Sequence, residues 1–205
     1  QRKKLSQFND GRHYLDLTWS PDDKLLAALT LNEIHVIDVA SGKYRRLKIP
    51  QMEIRALSFK NEQELSYSVK ENGQWRVYRY HLANETVFAE DVRWQYVQHY
   101  ANGADTLWLD QNNQLFSGAE PAPVLFPKIS PNLLINGRQF NLKKRGDFWY
   151  WFDGTQGIVR WSESDNEPSI LVSTTAPYFD VTASQLLFGQ VEQINANIFQ
   201  TRVLK

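Results

Sequence analysis

The fold of this chain is decided by two neighbouring stretches, residues 19–27 (WSPDDKLLA) and residues 34–43 (IHVIDVASGK). In the first stretch, a Pro-Asp-Asp turn separates a tryptophan from a short apolar run. In the second stretch, apolar residues lead into a Ser-Gly turn. Short apolar runs that are bounded by turn residues are typical of β-strands. The two stretches therefore predict consecutive short strands that are joined by tight turns.

The same pattern recurs along the chain at a nearly constant distance. An apolar residue closes a short run and precedes a polar turn at five positions, which are Trp19, Phe59, Val97, Phe140 and Val181. Successive positions are about 40 residues apart, which is the period of a four-stranded propeller blade. No segment sustains the apolar spacing of a helix. The repeat therefore predicts an all-β fold.

We predict a small β-propeller of about five four-stranded blades, which forms a single domain over residues 1–205. The expected blades are residues 9–49, 50–90, 91–127, 128–174, and 175–205 together with 1–8. The expected strands of the third blade are residues 106–109, 114–117 and 124–126.

The fifth repeat is short and ends without an outer strand. Residues 2–5 (RKKL) resemble residues 45–48 (RRLK), which form the expected outer strand of the first repeat. We therefore expect the N-terminal strand to complete the last blade, which would close the ring and cover its edges. An open arc of blades is the structural alternative.

The composition excludes several classes of protein. The 23 basic residues cancel the 23 acidic ones, so the surface has no long-range field that would gather nucleic acid. The chain has no cysteine, which excludes disulfides, thiolate metal sites and cysteine nucleophiles. It also lacks an apolar run of membrane-spanning length. We expect any membrane anchor to lie outside these residues.

A family resemblance rests on the turn motifs. Residues 15–48 resemble a blade of the TolB-like, WD-repeat-like bacterial propellers, in which a Trp-Ser-Pro-Asp-Gly-Lys turn precedes one strand and an Asp-x-x-x-Gly turn follows the next. Asp23 stands where the family has glycine, and Asp38 and Gly42 match the second turn. A left-handed turn position accepts aspartate less readily than glycine. The resemblance implies a propeller scaffold and no particular activity.

A second resemblance concerns the C-terminal half. Residues 179–188 (FDVTASQLLF) and 147–154 (DFWYWFDG) resemble the ends of the sensor domains in CadC-like, membrane-anchored winged-helix regulators. This resemblance implies a periplasmic location, as the extracytoplasmic part of an inner-membrane protein. The DNA-binding domain and membrane helix of such a protein would lie outside this chain.

Residues with catalytic or metal-binding chemistry are scattered. The histidines fall in different repeats and lack metal-ligand spacing, so we expect no metal and no cofactor; they are His13, His35, His81 and His99. Asp22 and Asp23 are interpreted as turn residues. No nucleophile elbow or phosphate-binding loop is present. We therefore expect no enzymatic activity.

One alternative keeps enzymatic chemistry open. Five-bladed glycosidases place acidic residues from different blades at the channel, and Asp16, Asp105 and Asp180 could supply them. This alternative requires three carboxylates within about 10 Å of one another at one channel mouth.

Aromatic and basic residues are the candidates for binding a partner. Residues 149–152 (WYWF) are four consecutive rings, which either pack between blades or form a contact surface. Trp75 and Trp94 lie near loops, and residues 143–145 form a basic cluster that is either solvated or docks an acidic partner. The candidate partner-binding residues are Trp75, Trp94, Lys143, Lys144, Arg145, Trp149 and Trp151.

The sequence thus predicts a non-catalytic sensory or protein-interaction propeller, the extracytoplasmic domain of a membrane-anchored transcriptional regulator. A protein partner or a small-molecule signal would bind on one rim, and occupancy would be passed to a homodimer. The alternatives are a TolB-like periplasmic scaffold fragment and a small carbohydrate-active propeller enzyme.

Overall fold

Every regular element in the computed structural model is a β-strand, within the residues that the structure describes. The described residues are 3–7, 15–30, 33–51, 53–90, 96–102, 105–110, 112–118, 122–135, 139–182, 185–192 and 195–202. Among them, no helix has the length and apolar character that a membrane span requires.

The first strand, β1 (Lys3–Gln7), belongs to a sheet that is completed at the other end of the chain. Four further sheets are each built from four consecutive antiparallel strands. The first contains β2 (Asp16–Trp19), β3 (Leu25–Leu29), β4 (Ile34–Asp38) and β5 (Tyr44–Leu47). The second contains β6 (Arg55–Phe59), β7 (Glu64–Glu71), β8 (Gln74–His81) and β9 (Thr86–Ala89).

The third sheet is followed by a short insertion. It contains β10 (Tyr96–Asn102), β11 (Asp105–Asp110), β12 (Leu115–Ser117) and β13 (Ala122–Pro123). A separate two-stranded hairpin then follows, made of β14 (Leu134–Ile135) and β15 (Gln139–Phe140). The fourth sheet contains β16 (Lys143–Arg145), β17 (Phe148–Asp153), β18 (Gly157–Trp161) and β19 (Ser169–Val172).

The last four-stranded sheet combines both ends of the chain, and we call it the composite sheet. It contains β20 (Phe179–Val181), β21 (Gln185–Glu192) and β22 (Asn195–Arg202), with β1 at its outer edge. The β1 and β22 strands pair antiparallel, with Lys4 opposite Phe199. The prediction that the N-terminal strand completes the last blade is therefore confirmed.

The sheets contact one another in a circle. The first strand of the first sheet, β2, contacts both β6 of the second sheet and β20 of the composite sheet. Further contacts join β6 to β10, β11 to β16 and β16 to β20. The predicted all-β, propeller-like arrangement is confirmed. Four blades, rather than five, are formed from consecutive strands, and the composite sheet draws on both chain ends.

Burial follows the position of a strand within its sheet. All four residues of β2 are buried, whereas three of the four residues of the outer strand β5 are exposed. Strands near the centre are covered on both faces by neighbouring sheets, so their apolar residues need not alternate with polar ones. Trp19 and Phe59, which the repeat identified, are fully buried. Apolar clusters accordingly lie between adjacent sheets.

The turn after Trp19 has the geometry that its motif predicts. Asp23 adopts a φ of 60°, the left-handed conformation that glycine adopts more readily than other residues. Its N–H donates to the carbonyl oxygen of Ser20 at 3.0 Å. The Ser20 hydroxyl donates to Asp22 Oδ1 at 2.7 Å, so both aspartates serve the turn.

Two strand predictions were wrong. Phe140 was identified as the repeated apolar position of the fourth repeat, which Trp19 and Phe59 occupy on the first strands of their sheets. It lies instead in the inserted β14–β15 hairpin, and the first strand of the fourth sheet is β16. Residues 124–126 were expected to form the outer strand of the third blade, which is instead Ala122–Pro123. The ladder continues only as far as Val124, whose N–H donates to the Leu115 carbonyl at 2.9 Å.

A glycine substitution tests the packing of the fourth sheet. Gly157 has a φ of 106°, and a Cβ atom there would overlap the Val172 carbonyl oxygen on β19 and lie 2.8 Å from Thr174 N. We expect Gly157→Ala to lower the free energy of unfolding by at least about 2 kcal/mol. Gly154→Ala, in the same hairpin, meets nothing within 4 Å and should change it by less than about 0.5 kcal/mol. Urea unfolding measures both, and equal effects would contradict the packing.

Candidate functional site

Four charged side chains meet near the centre of the circle, and we call them the central charged cluster. Asp16 lies on β2, Asp180 on β20, and Lys143 and Arg145 on β16. Lys143 Nζ is 3.8 Å from Asp16 Oδ1, and an Arg145 guanidinium nitrogen is 3.6 Å from Asp180 Oδ1. Lys143 and Arg145 are two residues apart, so alternation along the strand places both on the same face.

The two carboxylates also join neighbouring sheets. Asp16 Oδ2 accepts a hydrogen bond from the Leu57 N–H of the second sheet at 3.0 Å. Asp180 Oδ2 accepts one from the Trp19 N–H of the first sheet at 2.6 Å. A hydrogen bond to a charged acceptor is stronger than one between neutral groups. The two buried N–H groups have no access to water, so the carboxylates provide the acceptors that they need. The cluster therefore fastens the sheets to one another.

Burial changes the pKa of Asp16, one of the two carboxylic acids in this cluster. Removal from water raises the pKa of Asp16 from 3.8 to about 6, and the attraction of Lys143 and the Leu17 N–H only partly opposes this. Burial also raises the pKa of the Tyr178 hydroxyl, and the negative charge of Asp16 adds to this effect. The ionised Asp16 is thus held in an environment that disfavours its charge.

The raised pKa has a measurable consequence. Between about pH 4 and pH 6 the folded chain binds more protons at Asp16 than the unfolded chain does, so this group's contribution to stability is lost as the pH rises. Relative to Asp16→Asn, which does not titrate there, the wild type should lose about 2 kcal/mol of unfolding free energy from pH 4 to pH 7. Urea unfolding of both chains across this range measures the difference. A difference that does not vary with pH would contradict the raised pKa.

The prediction of a solvated basic cluster at residues 143–145 was wrong for two of the three residues. The Lys143 side chain is 2% exposed and the Arg145 side chain 13%. Arg145 Nε also donates to the Val181 carbonyl at 2.7 Å. Lys144 points to the other face of the strand, where its ammonium lies 5.2 Å from the centre of the Trp149 ring.

The aromatic run serves packing. Trp149 and Trp151 are 7% and 5% exposed and share an apolar cluster with Trp161. The Phe126 ring meets Trp149 edge-on, with ring centres 5.0 Å apart. Of the two interpretations of this run, the structure supports packing between sheets, and neither tryptophan forms an exposed contact surface.

A second candidate site is a groove at one rim, which we call the rim groove. It lies between the β5–β6 connection and the β7–β8 hairpin and has a volume of about 410 Å³. Its lining residues are Pro50, Gln51, Glu53, Val69, Lys70 and Glu71. Pockets of about 300–1,000 Å³ are the usual size of ligand sites. The rim groove is therefore large enough to bind a ligand or a short segment of a partner.

A polar network forms one side of the rim groove. The Tyr67 hydroxyl donates to Gln51 Oε1 at 3.2 Å, and the Tyr78 hydroxyl donates to Glu71 Oε2 at 2.7 Å. Burial raises the pKa of Tyr78, and its bond to Glu71 raises it further, so the phenol remains a neutral donor. Arg76 Nε is 3.7 Å from the same Glu71 oxygen. Glu71 is thus engaged, and the network fixes the positions of Gln51 and Glu71.

The tryptophans predicted to contact a partner differ in their placement. Trp75 is partly exposed on β8, directly opposite Lys70 of β7, so the two side chains lie on the same face of the hairpin. Trp75 is thus the cross-strand neighbour of Lys70, which lines the rim groove, but Trp75 is not itself one of the lining residues. Trp94 lies outside the described residues.

Two of the three acidic residues considered for glycosidase chemistry, Asp16 and Asp180, lie together in the central charged cluster. Asp105 begins β11, the second strand of its sheet, so it is not on a first strand as Asp16 and Asp180 are. His35 is buried, with Nε2 2.9 Å from Glu33 Oε2. His13 and the His99 side chain lie outside the described part of the chain. Among the residues that the structure describes, no three potential metal ligands form a cluster.

Four-stranded sheets in a circle, with first strands at the centre, define the β-propeller class. Among solved structures, the chain is similar to TolB from Acinetobacter baumannii, with 14% identity, a TM-score of 0.53, and coverage of 93% of this chain and 55% of that one. A putative TolB from Agrobacterium tumefaciens has 12% identity and a TM-score of 0.53, with coverage of 88% and 71%. A Bacteroides thetaiotaomicron protein of unknown function has 12% identity and a TM-score of 0.52, with coverage of 90% and 58%.

These similarities concern the fold alone, at which level the predicted likeness to TolB-like propellers is confirmed. The chain spans about half the length of the Acinetobacter TolB structure. No protein-family profile matches the chain, and no curated protein matches it significantly.

Proposed function

We propose that this chain is a non-catalytic protein-interaction propeller, a single domain whose five blades form a closed ring with the composite sheet as the fifth. The observation that carries this proposal is that the two polar sites differ in exposure: the central charged cluster is buried, and the rim groove lies at the surface. The carboxylates of the central charged cluster bind backbone N–H groups of neighbouring sheets, which favours a structural role. The rim groove lies at the surface, where a rigid scaffold can present it to a partner.

The cellular setting of the proposal follows the resemblance of the C-terminal half to CadC-like sensors. The propeller is the extracytoplasmic, periplasmic domain of a membrane-anchored transcriptional regulator. A protein partner or a small-molecule signal binds on one rim, and this binding changes the state of a homodimer. The membrane anchor and DNA-binding domain belong to other parts of the protein.

The fold similarity to two TolB structures favours a second candidate, a periplasmic scaffold that has no link to transcription. The gene region that encodes the residues before Gln1 distinguishes the two. A winged-helix sequence followed by a single apolar segment of about 20 residues supports the regulator. A cleavable signal peptide supports the scaffold.

Photo-crosslinking in cells tests the interaction function. A photo-reactive phenylalanine analogue placed at Trp75 reports on the rim with the groove. The same analogue at Glu163, in the exposed β18–β19 turn, reports on the other end of a blade. We expect a discrete crosslinked protein from at least one rim. Absence of any specific protein crosslink from scanning positions on both rims would contradict the proposal.

A further inference from the structure

Asp16 and Tyr178 occupy equivalent positions where two adjacent inner strands begin. Asp16 is the first residue of β2 and lies three residues before Trp19. Tyr178 directly precedes β20 and lies three residues before Val181, the repeated apolar position that corresponds to Trp19. Tyr178 is half-buried, and within the described residues its hydroxyl has no hydrogen-bond partner. This hydroxyl is therefore a free donor close to the centre of the circle.

A β-bulge brings Arg55 to the same level on β6, the next inner strand. The register of β6 against β7 shifts after Arg55, and Ala56 there has a φ of 51°. One extra residue is thus taken up, and Arg55 pairs with Ser68, three ladder positions from the pair that Phe59 makes. Asp16 likewise pairs three positions from the pair of the repeated apolar residue in its own sheet. Bulges re-aim side chains, and this one aligns Arg55 with Asp16.

The Arg55 guanidinium has no acidic partner among the residues that the structure describes. Its Nη1 donates to the Ile54 carbonyl oxygen at 2.9 Å, which leaves further N–H donors open. Arg55 is half-buried. Burial and the charge of Asp16 raise the pKa of the Tyr178 hydroxyl, and the charge of Arg55 opposes them. Arg55 and Asp16 therefore both act electrostatically on this hydroxyl.

The charges at this level favour a ligand with a single negative charge. Asp16 is already engaged, because it lies 3.8 Å from Lys143 Nζ and accepts the Leu57 N–H. Arg55 is then the cation without a counter-charge. Guanidinium and hydroxyl donors both bind carboxylates well. A phosphate dianion would place a second negative charge near Asp16, and repulsion disfavours it.

We propose that Arg55 and Tyr178 bind a carboxylate group where the inner strands begin, at the centre of the rim that carries the rim groove. The β5–β6 connection lines that groove and leads directly into Arg55. The carboxylate belongs either to a free small molecule or to an acidic side chain of a partner protein. This proposal rests on the interaction function proposed above and adds a site and a chemical class of ligand.

Titration of the purified chain, followed by the chemical shifts of its backbone amides, tests the class and the source of the ligand. Sodium acetate represents the free carboxylate, and a blocked pentapeptide with one central Glu represents the side chain. The same peptide with Gln and inorganic phosphate are the controls, all at about pH 7.5 and constant ionic strength, where carboxylic acids are ionised.

We expect at least one carboxylate to bind, and to bind about tenfold more tightly than the Gln peptide and phosphate. Binding of acetate alone assigns the site to a free molecule. Binding of the Glu peptide alone assigns it to a partner protein. Binding of neither carboxylate, or tighter binding of phosphate, would overturn the proposal.

Substitutions test the two donors. Arg55→Gln should weaken carboxylate binding about tenfold, and Tyr178→Phe, which removes a neutral donor, about fivefold. Arg46→Gln is the matched control, because Arg46 is a half-exposed arginine on the outer strand β5 and lies 3.4 Å from Glu33. It should leave binding unchanged. Equal losses from all three variants would overturn the assignment of the site.

A gain of affinity provides a readout that a structural defect would not produce. Asp16→Asn removes the negative charge beside the site and should tighten carboxylate binding about threefold. Unchanged or weaker binding by this variant would contradict the placement of the ligand. If photo-crosslinking finds a protein partner while no carboxylate binds, the site assignment fails and the interaction function remains.

Discussion

Replacement of Asp180 by Ala is expected to lower the free energy of unfolding by about 3–5 kcal/mol, because it removes one partner of a buried ion pair. The Asp180 side chain is fully buried and lies 3.6 Å from a guanidinium nitrogen of Arg145. It also accepts the Trp19 N–H at 2.6 Å, which joins the composite sheet to the first sheet. The variant removes one partner from the buried Arg145 guanidinium and one from the buried Trp19 N–H. Urea unfolding measures the loss.

Two variants control this prediction. Asp180→Asn keeps an oxygen that can accept the Trp19 N–H but lacks the charge, so its loss should be smaller than that of the Ala variant. Asp147→Ala, in the exposed β16–β17 turn, should change stability by less than about 0.5 kcal/mol. If Asp180→Ala and Asp147→Ala had similar effects, the central charged cluster would not fasten the sheets.

Removal of residues 1–7 is expected to destabilise the chain by about 4 kcal/mol, because four paired positions between β1 and β22 are lost at a net value of about 1 kcal/mol each. The truncation also exposes the edge of β22, and an uncovered edge strand promotes aggregation. Thermal unfolding and light scattering measure the two effects.

A peptide supplied in trans provides the control for the truncation. A synthetic peptide of residues 1–8 should raise the melting temperature of the truncated chain in a concentration-dependent manner, since a ligand that binds the folded state stabilises it. A scrambled peptide of the same composition should not. Unchanged stability on truncation would show that β1 is dispensable for the composite sheet.

The sequence predicted the features that depend on local pattern. The period of about 40 residues and the turn after Trp19 were sufficient for the all-β, propeller-like arrangement. The likeness of residues 2–5 to residues 45–48 was sufficient for the role of β1. Phe140 was misplaced because the inserted β14–β15 hairpin also ends in an apolar residue before a polar turn, so it matched the same pattern.

The sites depend on contacts that a local pattern does not contain. Lys143 was expected in solvent, as lysines usually are, but its partner Asp16 lies more than a hundred residues away in the chain. The available signal for this ion pair was Asp16, a charged residue on β2, a first strand that is buried throughout. The rim groove likewise lies between a connection and a hairpin, and no periodicity in the sequence brings these two segments together.

The closure of the ring by both chain ends is tested most directly by a disulfide between β1 and β22. The chain has no cysteine, and Lys4 lies opposite Phe199, so the double variant Lys4→Cys with Phe199→Cys has a single route to an internal disulfide. We expect the monomer to oxidise and to gain about 2–5 kcal/mol of stability. Lys4→Cys with Ser169→Cys, which pairs β1 with the outer strand β19 of the fourth sheet, should not oxidise internally. Failure of the Lys4–Phe199 variant to form an internal disulfide in the folded chain would contradict the closed propeller.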